Sequence, residues 1–171
     1  MKTKIIVDAY SVLKAAKLSK MDDKDKYKVI KAMREMRPVS EKFEADLKEG
    51  NEKLKDERYE EMNEKAVKHN DAVRDGKTEE TLSSKELRQL DIYFSAYKKE
   101  VDVLEKSLED EDFPVKFEKL SEEAIYKLWE SNDFTCEQMM ILEDALSDIS
   151  IGIIKPGSLL CRLASRLLFL G

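Results

Sequence analysis

The feature that most constrains this chain is an unbroken helical seam over Leu87–Leu108. Its apolar residues are spaced alternately three and four positions apart, the pattern of a helix that packs lengthwise against another helix. The seam comprises Leu87, Leu90, Phe94, Tyr97, Val101, Leu104 and Leu108. Ser84 precedes it as the expected N-cap, so we predict a helix from Lys85 to about Glu109.

The composition of the chain agrees with long, exposed helices. Of the 171 residues, 40% are charged and only eight are glycine or proline, whereas an average globular domain is about 25% charged. Hydrophobic residues make up 42% of the chain and fall in helical register, which disfavours disorder. The sequence therefore predicts an all-α fold with a single helical domain over residues 1–148.

A second long helical region supplies a partner for the seam. We predict that it runs from about Asp23 to Arg74 and forms an elongated, coiled-coil-like antiparallel hairpin with the Lys85–Glu109 helix. Its apolar stripe comprises Val29, Met33, Met36, Phe43, Leu47 and Leu54. Pro38 is expected to kink or break this helix, and Gly50 marks a second weak point.

Shorter elements are predicted at both ends of the hairpin sequence. A first helix is expected over about Thr3–Ser19, and two small helices are expected to begin near Ser121 and at Thr135, which starts a capping-box pattern. These three helices are predicted to pack together at one end of the hairpin. Phe113–Leu120 alternates like an extended strand that buries Phe113, and it either lies across the helices or bridges to a short segment such as the N-terminus.

The last part of the chain, Ile149–Gly171, differs in composition from the rest. It contains three basic residues and no acidic one, whereas the whole chain has a net charge of −6. Its apolar run is too short to span a bilayer, which needs about 20 residues. Three interpretations stay open: an amphipathic anchor, a partner-binding helix or a non-native segment.

The chain lacks the residue patterns of most enzymes and metal sites. His69 is the single histidine and is expected to be exposed on a helix, while Cys136 and Cys161 suggest neither a disulfide framework nor a zinc site. Glycine-rich phosphate loops are absent from the sequence. We therefore predict no enzymatic activity and no cofactor. The rival prediction is a carboxylate-centred enzyme site, and it requires burial of the candidate acids Glu57, Glu60, Glu61 and Glu64.

Aromatic and methionine side chains near the C-terminal helices are the candidate partner-binding residues. They are Tyr126, Trp129, Phe134, Met139 and Met140. Methionine suits adaptable binding surfaces, and clustered aromatic residues supply large contact areas. The alternative is that the aromatic residues form the core of a small helical cap.

Short patterns over residues 5–148 resemble a family of small helical bacteriophage proteins without an assigned activity, the DUF1617-like type. The patterns are an opening DAYSVLKAAKLSKMDDKDKYKVIKAMREMRP, a later FPVKFEKLSEEAI and a closing DFTCEQMMILEDAL. The resemblance implies a phage or prophage origin and no catalytic residue. It suggests a helical interaction protein in the cytoplasm of the bacterial host, acting as a virion or tail assembly accessory or by binding a host protein.

The charge pattern bears on the expected partners. Lysines alternate with acids along the helices, which is typical of a solvated face and disfavours nucleic-acid binding. An inhibitor of host defence that mimics nucleic acid is an alternative, and it would require acids clustered on one face. We expect a protein partner, no transmembrane segment, and self-association through any unused apolar surface.

Overall fold

The computed structural model of the chain describes residues 1–77, 79 and 81–147. These residues form six α-helices and no β-strand, which confirms the all-α prediction. The helices are α1 (Thr3–Leu13), α2 (Asp23–Leu54), α3 (Tyr59–Arg74), α4 (Ser84–Glu109), α5 (Glu122–Glu130) and α6 (Cys136–Leu146). The tail over Ile149–Gly171, with Cys161, lies outside the described residues, so its three interpretations stay open.

The chain divides into two compact units. Of the described residues, unit 1 comprises Met1, Ile5–Arg37 and 114–147, and unit 2 comprises Lys2–Lys4 and those within Pro38–Phe113. Helix α2 contributes its first half to unit 1 and its second half to unit 2.

Unit 1 is built around a well-buried apolar core. Side chains that are fully buried in it come from α1, α2, α5 and α6, and the largest are Ile6, Val29, Met36, Leu128, Leu142 and Leu146. The predicted starts of the last two helices are confirmed. Ser121 caps α5 by accepting a hydrogen bond from the backbone of Ala124, and Thr135 and Gln138 form the capping box of α6.

Helix α1 ends at Leu13 and not at Ser19 as predicted. After Leu13 the backbone tightens, and the Ala16 amide donates to the Leu13 carbonyl at 3.1 Å. The amide of Lys17 then donates to Asn132 Oδ1 at 2.7 Å, and Asn132 Nδ2 returns a hydrogen bond to the Lys17 carbonyl at 2.8 Å. The helical periodicity of the sequence continues beyond Leu13. However, Asn132 forms hydrogen bonds with the amide and carbonyl of Lys17, which would bond within the helix if α1 continued.

In unit 2, neither predicted weak point interrupts helix α2. Pro38 lies inside the helix, and the next two residues, Val39 and Ser40, are both buried. Their packing compensates for the backbone hydrogen bond that proline cannot donate. At Gly50, the missing side chain leaves room for Leu104 of α4, whose methyl groups would clash with any Cβ atom built at residue 50.

The predicted helix over Asp23–Arg74 is wrong in one respect, because it breaks at residues 55–58. Asp56 Oδ1 accepts a hydrogen bond from the Arg58 amide at 3.0 Å, which replaces the helical hydrogen bond of that amide. The same carboxylate oxygen accepts a hydrogen bond from Tyr93 Oη of α4 at 2.6 Å. A local turn, stabilised by a tertiary contact, therefore separates α2 from α3.

The contacts of α4 fit the predicted antiparallel pairing. Towards its C-terminal end Leu104 meets Gly50, and Tyr97 Oη donates to the Asn51 carbonyl at 3.3 Å. Earlier in α4, the ring of Phe94 lies edge-on to that of Tyr59, with centroids 6.1 Å apart. The helix begins one residue earlier than predicted, because Ser83 and not Ser84 forms the capping box, with Glu86.

The segment after α4 forms a bridge to the N-terminus, but at Asp112, one residue before the predicted stretch; the last residue of that stretch, Leu120, instead forms a parallel bridge with Ser147. Lys2 and Asp112 form an isolated antiparallel β-bridge, and the Thr3 amide donates to the Glu111 carbonyl at 2.9 Å. The prediction that Phe113 is buried is wrong, since 38% of the residue is exposed. The alternating pattern starts instead at Val115, which is half-buried like Phe117.

Candidate interaction surfaces

The five residues predicted to bind a partner occupy different environments in unit 1. Trp129 is buried and belongs to the core, so the alternative interpretation holds for this residue. Tyr126 and Met140 are exposed, and Met139 and Phe134 are half-buried. The indole Nε1 of Trp129 is buried, and it has no hydrogen-bond partner among the described residues.

Phe134 is the member of this set that lines a cleft in unit 1, of about 380 Å³, between the end of α1 and the α5–α6 turn. The polar residues of the lining are Ser11, Lys17, Glu130, Ser131, Asn132, Asp133 and Gln138. Three of them already serve the fold, because Asn132 bonds the backbone of Lys17, Gln138 bonds that of Thr135, and Ser131 Oγ accepts a hydrogen bond from the Lys20 amide. The charged groups of the lining are one cation, Lys17, and two carboxylates, Glu130 and Asp133. This mixture favours neither an anionic nor a cationic ligand.

The acids of the rival enzyme hypothesis are all exposed. Glu57, Glu60, Glu61 and Glu64 lie at the surface of unit 2, so the burial that this hypothesis requires is not met. Glu61 is paired with Lys65, whose hydrogen bond lowers the pKa of the Glu61 carboxyl. Among residues 1–77, 79 and 81–147, no three His, Cys, Asp or Glu side chains are grouped in a way that would hold a metal ion.

His69 was predicted to be exposed, and this is wrong. The residue is half-buried, and its Nδ1 accepts a hydrogen bond from the Leu82 amide at 3.1 Å. This contact links α3 to the segment just before α4. The ring therefore has a structural role in unit 2, which the sequence could not indicate because the two residues are 13 positions apart.

The inner face of α4 carries the predicted seam, and most of this seam is only half-buried. Leu90 is the seam residue that is buried, and Leu87 is exposed. Around the α2–α3 break, the rings of Tyr59 and Tyr97 lie 5.1 Å apart, and Tyr93 bonds Asp56. That hydrogen bond raises the pKa of Tyr93 to about 12 and lowers the pKa of Asp56, which the Arg58 guanidinium lowers further.

The opposite face of α4 carries a second heptad-like repeat, which we name the outer stripe. Its residues are Lys85, Gln89, Ile92, Ala96, Lys99, Val103 and Lys106, and all seven are exposed. They alternate in spacing between four and three positions, as the seam does, so they form one line along the helix. Ile92 is 63% exposed and Val103 is 71% exposed. The outer stripe contains no acidic residue.

The outer stripe was missed at the sequence level although its signal is present there. Lysines along the helices were attributed to a solvated face in which acids alternate with bases. In α4 the acids are offset: Asp102 and Glu100 lie beside the stripe, and Glu86 caps the helix. A search for a second four-and-three repeat would have separated this line of residues from the seam.

Comparison of the chain with protein-family models, characterised proteins and solved structures gives no match. The resemblance to DUF1617-like phage proteins therefore stays a prediction. Over the part of the chain that the structure describes, no helix combines the length and the apolar character needed to cross a membrane.

Proposed function

We propose that this chain is a non-enzymatic helical interaction protein, encoded by a phage or prophage, that recognises a protein partner through an exposed helix face. The observation that carries the proposal is the outer stripe of α4. Single exposed apolar residues are ordinary on protein surfaces, whereas apolar anchors repeated along one helix face are the means by which a partner recognises a helix. Ile92 and Val103 are aligned in this way.

The two rival functions receive less support from the described surface. A carboxylate-centred enzyme would need buried acids, but Glu57, Glu60, Glu61 and Glu64 are exposed. A nucleic-acid mimic would need a continuous row of unpaired acids. Several acids on α2 and α3 are instead paired with lysines three or four residues away, as in Glu49–Lys53 and Glu64–Lys68.

The partner under this proposal is a phage structural protein or a host protein, met in the cytoplasm of the bacterial host. Interaction energy would come from apolar contact along a helix, and complementary charge would supply specificity. Self-association of the chain through the same apolar surface is the alternative assembly.

Affinity capture of the full-length chain from a bacterial host lysate, followed by sizing of the complex, tests this function. We expect a stoichiometric protein partner whose binding is lost in the double variant Ile92→Ser/Val103→Ser. The matched control is Val67→Ser, which removes an exposed apolar side chain from α3. Turnover in a substrate screen, without any protein partner, would contradict the proposal.

A further inference from the structure

The outer stripe has the length and regularity of one complete helix-packing surface. Lys85 and Lys106 are 21 positions apart, which corresponds to about 32 Å along an α-helix. Its apolar members are Ile92, Ala96 and Val103, which lie between the basic ends. A partner helix of similar length can therefore contact the stripe along a single line.

The charges of the outer stripe differ from those of the neighbouring helices. On α2 and α3, several exposed lysines form ion pairs within their own helix, such as Lys42–Asp46 and Lys65–Glu61, although others such as Lys48 form none with the described residues. In contrast, Lys85, Lys99 and Lys106, together with the adjacent Arg88, form no ion pair with the described residues. These four cations lie along one face of α4, with Glu100 and Asp102 beside them, in a chain whose net charge is −6.

Resting on the proposed interaction function, we propose that the outer stripe binds an acidic amphipathic α-helix of a partner protein. Apolar residues of that helix would cover Ile92, Ala96 and Val103, while its flanking carboxylates would pair with Lys85, Lys99 and Lys106. Interhelical pairs of this kind determine partner choice and orientation in helical zippers.

Three other occupants fit the outer stripe less well. A second copy that paired its own outer stripe here would oppose lysine to lysine. An anionic membrane surface favours a continuous apolar face, and Lys99 interrupts this one between Ala96 and Val103. A nucleic-acid duplex favours a dense basic row, whereas apolar residues occupy the centre of the stripe.

The test uses the full chain and a synthetic helical peptide of about 21 residues, the length of the stripe. Leucine and alanine alternate along one face of the peptide, and glutamates flank them. Binding is measured by fluorescence anisotropy, with a scrambled peptide of identical composition as the control. We expect binding of the amphipathic peptide alone, and we expect added salt to weaken it.

Two charge reversals on the protein make the test specific to the outer stripe. Lys99→Glu reverses a charge within the stripe, and Lys98→Glu reverses the neighbouring charge outside it. We expect Lys99→Glu to weaken binding about tenfold or more and Lys98→Glu to change it by less than about threefold. A peptide with lysines in place of its glutamates should prefer the Lys99→Glu protein. Circular dichroism of both variants checks that they fold.

Several results would overturn this proposal. They are absence of peptide binding, equal loss of binding in the two variants, and binding only of anionic vesicles or a DNA duplex. If the unchanged chain forms a homodimer and the Lys99→Glu variant does not, the stripe binds a second copy of the chain instead of a partner helix. If a captured protein partner binds Lys99→Glu as tightly as the unchanged chain, the docking site is wrong while the interaction function survives.

Discussion

The two units reach stability in different ways. All but three of the buried apolar side chains among the described residues belong to unit 1, and the three in unit 2 are Val39, Ala72 and Leu90. Unit 2 relies on a half-buried seam, on aromatic contacts around Tyr59 and on surface ion pairs. Exposed ion pairs contribute little, at about 0–1 kcal/mol each. Unit 1 is therefore stabilised mainly by buried apolar surface, whereas unit 2 is stabilised by weaker contacts that are partly exposed to solvent.

This difference matches the different surfaces of the units. In unit 1 the helices α5 and α6 contact one another and bury most of their apolar residues, which leaves isolated exposed residues such as Met140. In unit 2 a single long helix, α4, has a half-buried face and a fully exposed one. A helix that covers little apolar surface within its own unit has apolar surface available for a partner.

Leu142→Ala is expected to have the largest effect on stability. Leu142 is fully buried in unit 1, so its truncation should lower the free energy of unfolding by about 3–5 kcal/mol. Urea denaturation followed by the fluorescence of Trp129, the single tryptophan, reports directly on this unit. The control Met140→Ala, at a residue that is 58% exposed, should change the value by about 0.5 kcal/mol or less.

Leu104→Ala tests the weaker packing of unit 2. Because Leu104 is half-buried, we expect a loss of about 2 kcal/mol, at the lower end for such truncations. The shift should be larger in circular dichroism, which reports on all helices, than in Trp129 fluorescence. Equal shifts in both signals would mean that the units unfold as one, and the contrast between them would then not extend to unfolding.

The effect of Gly50→Ala on stability should change sign according to whether the Leu104 side chain is present. Gly50→Ala should destabilise the chain by about 1 kcal/mol because the new Cβ displaces Leu104, despite the better helix propensity of alanine. In the Leu104→Ala background the same change should be stabilising, since the space is then free. Destabilisation in both backgrounds would show that Leu104 does not occupy that space.

The sequence predicted the helices well where side-chain periodicity and capping decide the structure. The α4 seam, the α6 capping box and the start of α5 are local patterns, and they were found within one residue. The errors arose where a distant group takes over a backbone hydrogen bond. Asn132 ends α1 early, and the Asp56 turn, braced by Tyr93, divides the long helix. Such contacts leave no trace in local periodicity.

The candidate binding residues could be predicted only in part. Large aromatic and methionine side chains suit both a core and an interface, and Trp129 became core while Met140 stayed exposed. Burial depends on what packs against a helix, and a single sequence does not contain that information. The spacing of the outer stripe is present in the sequence. That all seven of its residues are exposed follows only from how α4 packs in the structure.

Asn132→Ala should have a moderate effect confined to unit 1. The side chain bonds both backbone groups of Lys17 and the Leu128 carbonyl. Because these groups are partly solvated, we expect a loss of about 1 kcal/mol in urea denaturation. Asn132→Asp keeps the acceptor for the Lys17 amide and loses both donors, so its loss should be intermediate only if the acceptor contributes.

Tyr93→Phe should have the smallest effect, and its dependence on pH identifies the bond in unit 2. The hydrogen bond to Asp56 raises the pKa of Tyr93 from 10.0 to about 12, so its contribution is present below pH 10 and is lost as the pH rises towards 12. The pKa of Asp56 is lowered, so the contribution is present above the ordinary value of 3.8 and is lost as the pH falls below it. The stability difference between the unchanged chain and Tyr93→Phe should therefore be constant at intermediate pH and shrink at both extremes.

Tyr27→Phe, at an exposed ring that contacts Lys31, is the control and should show no such profile. If the Tyr93→Phe difference is the same at every pH, the hydroxyl does not bond the Asp56 carboxylate, and the break between α2 and α3 needs another cause.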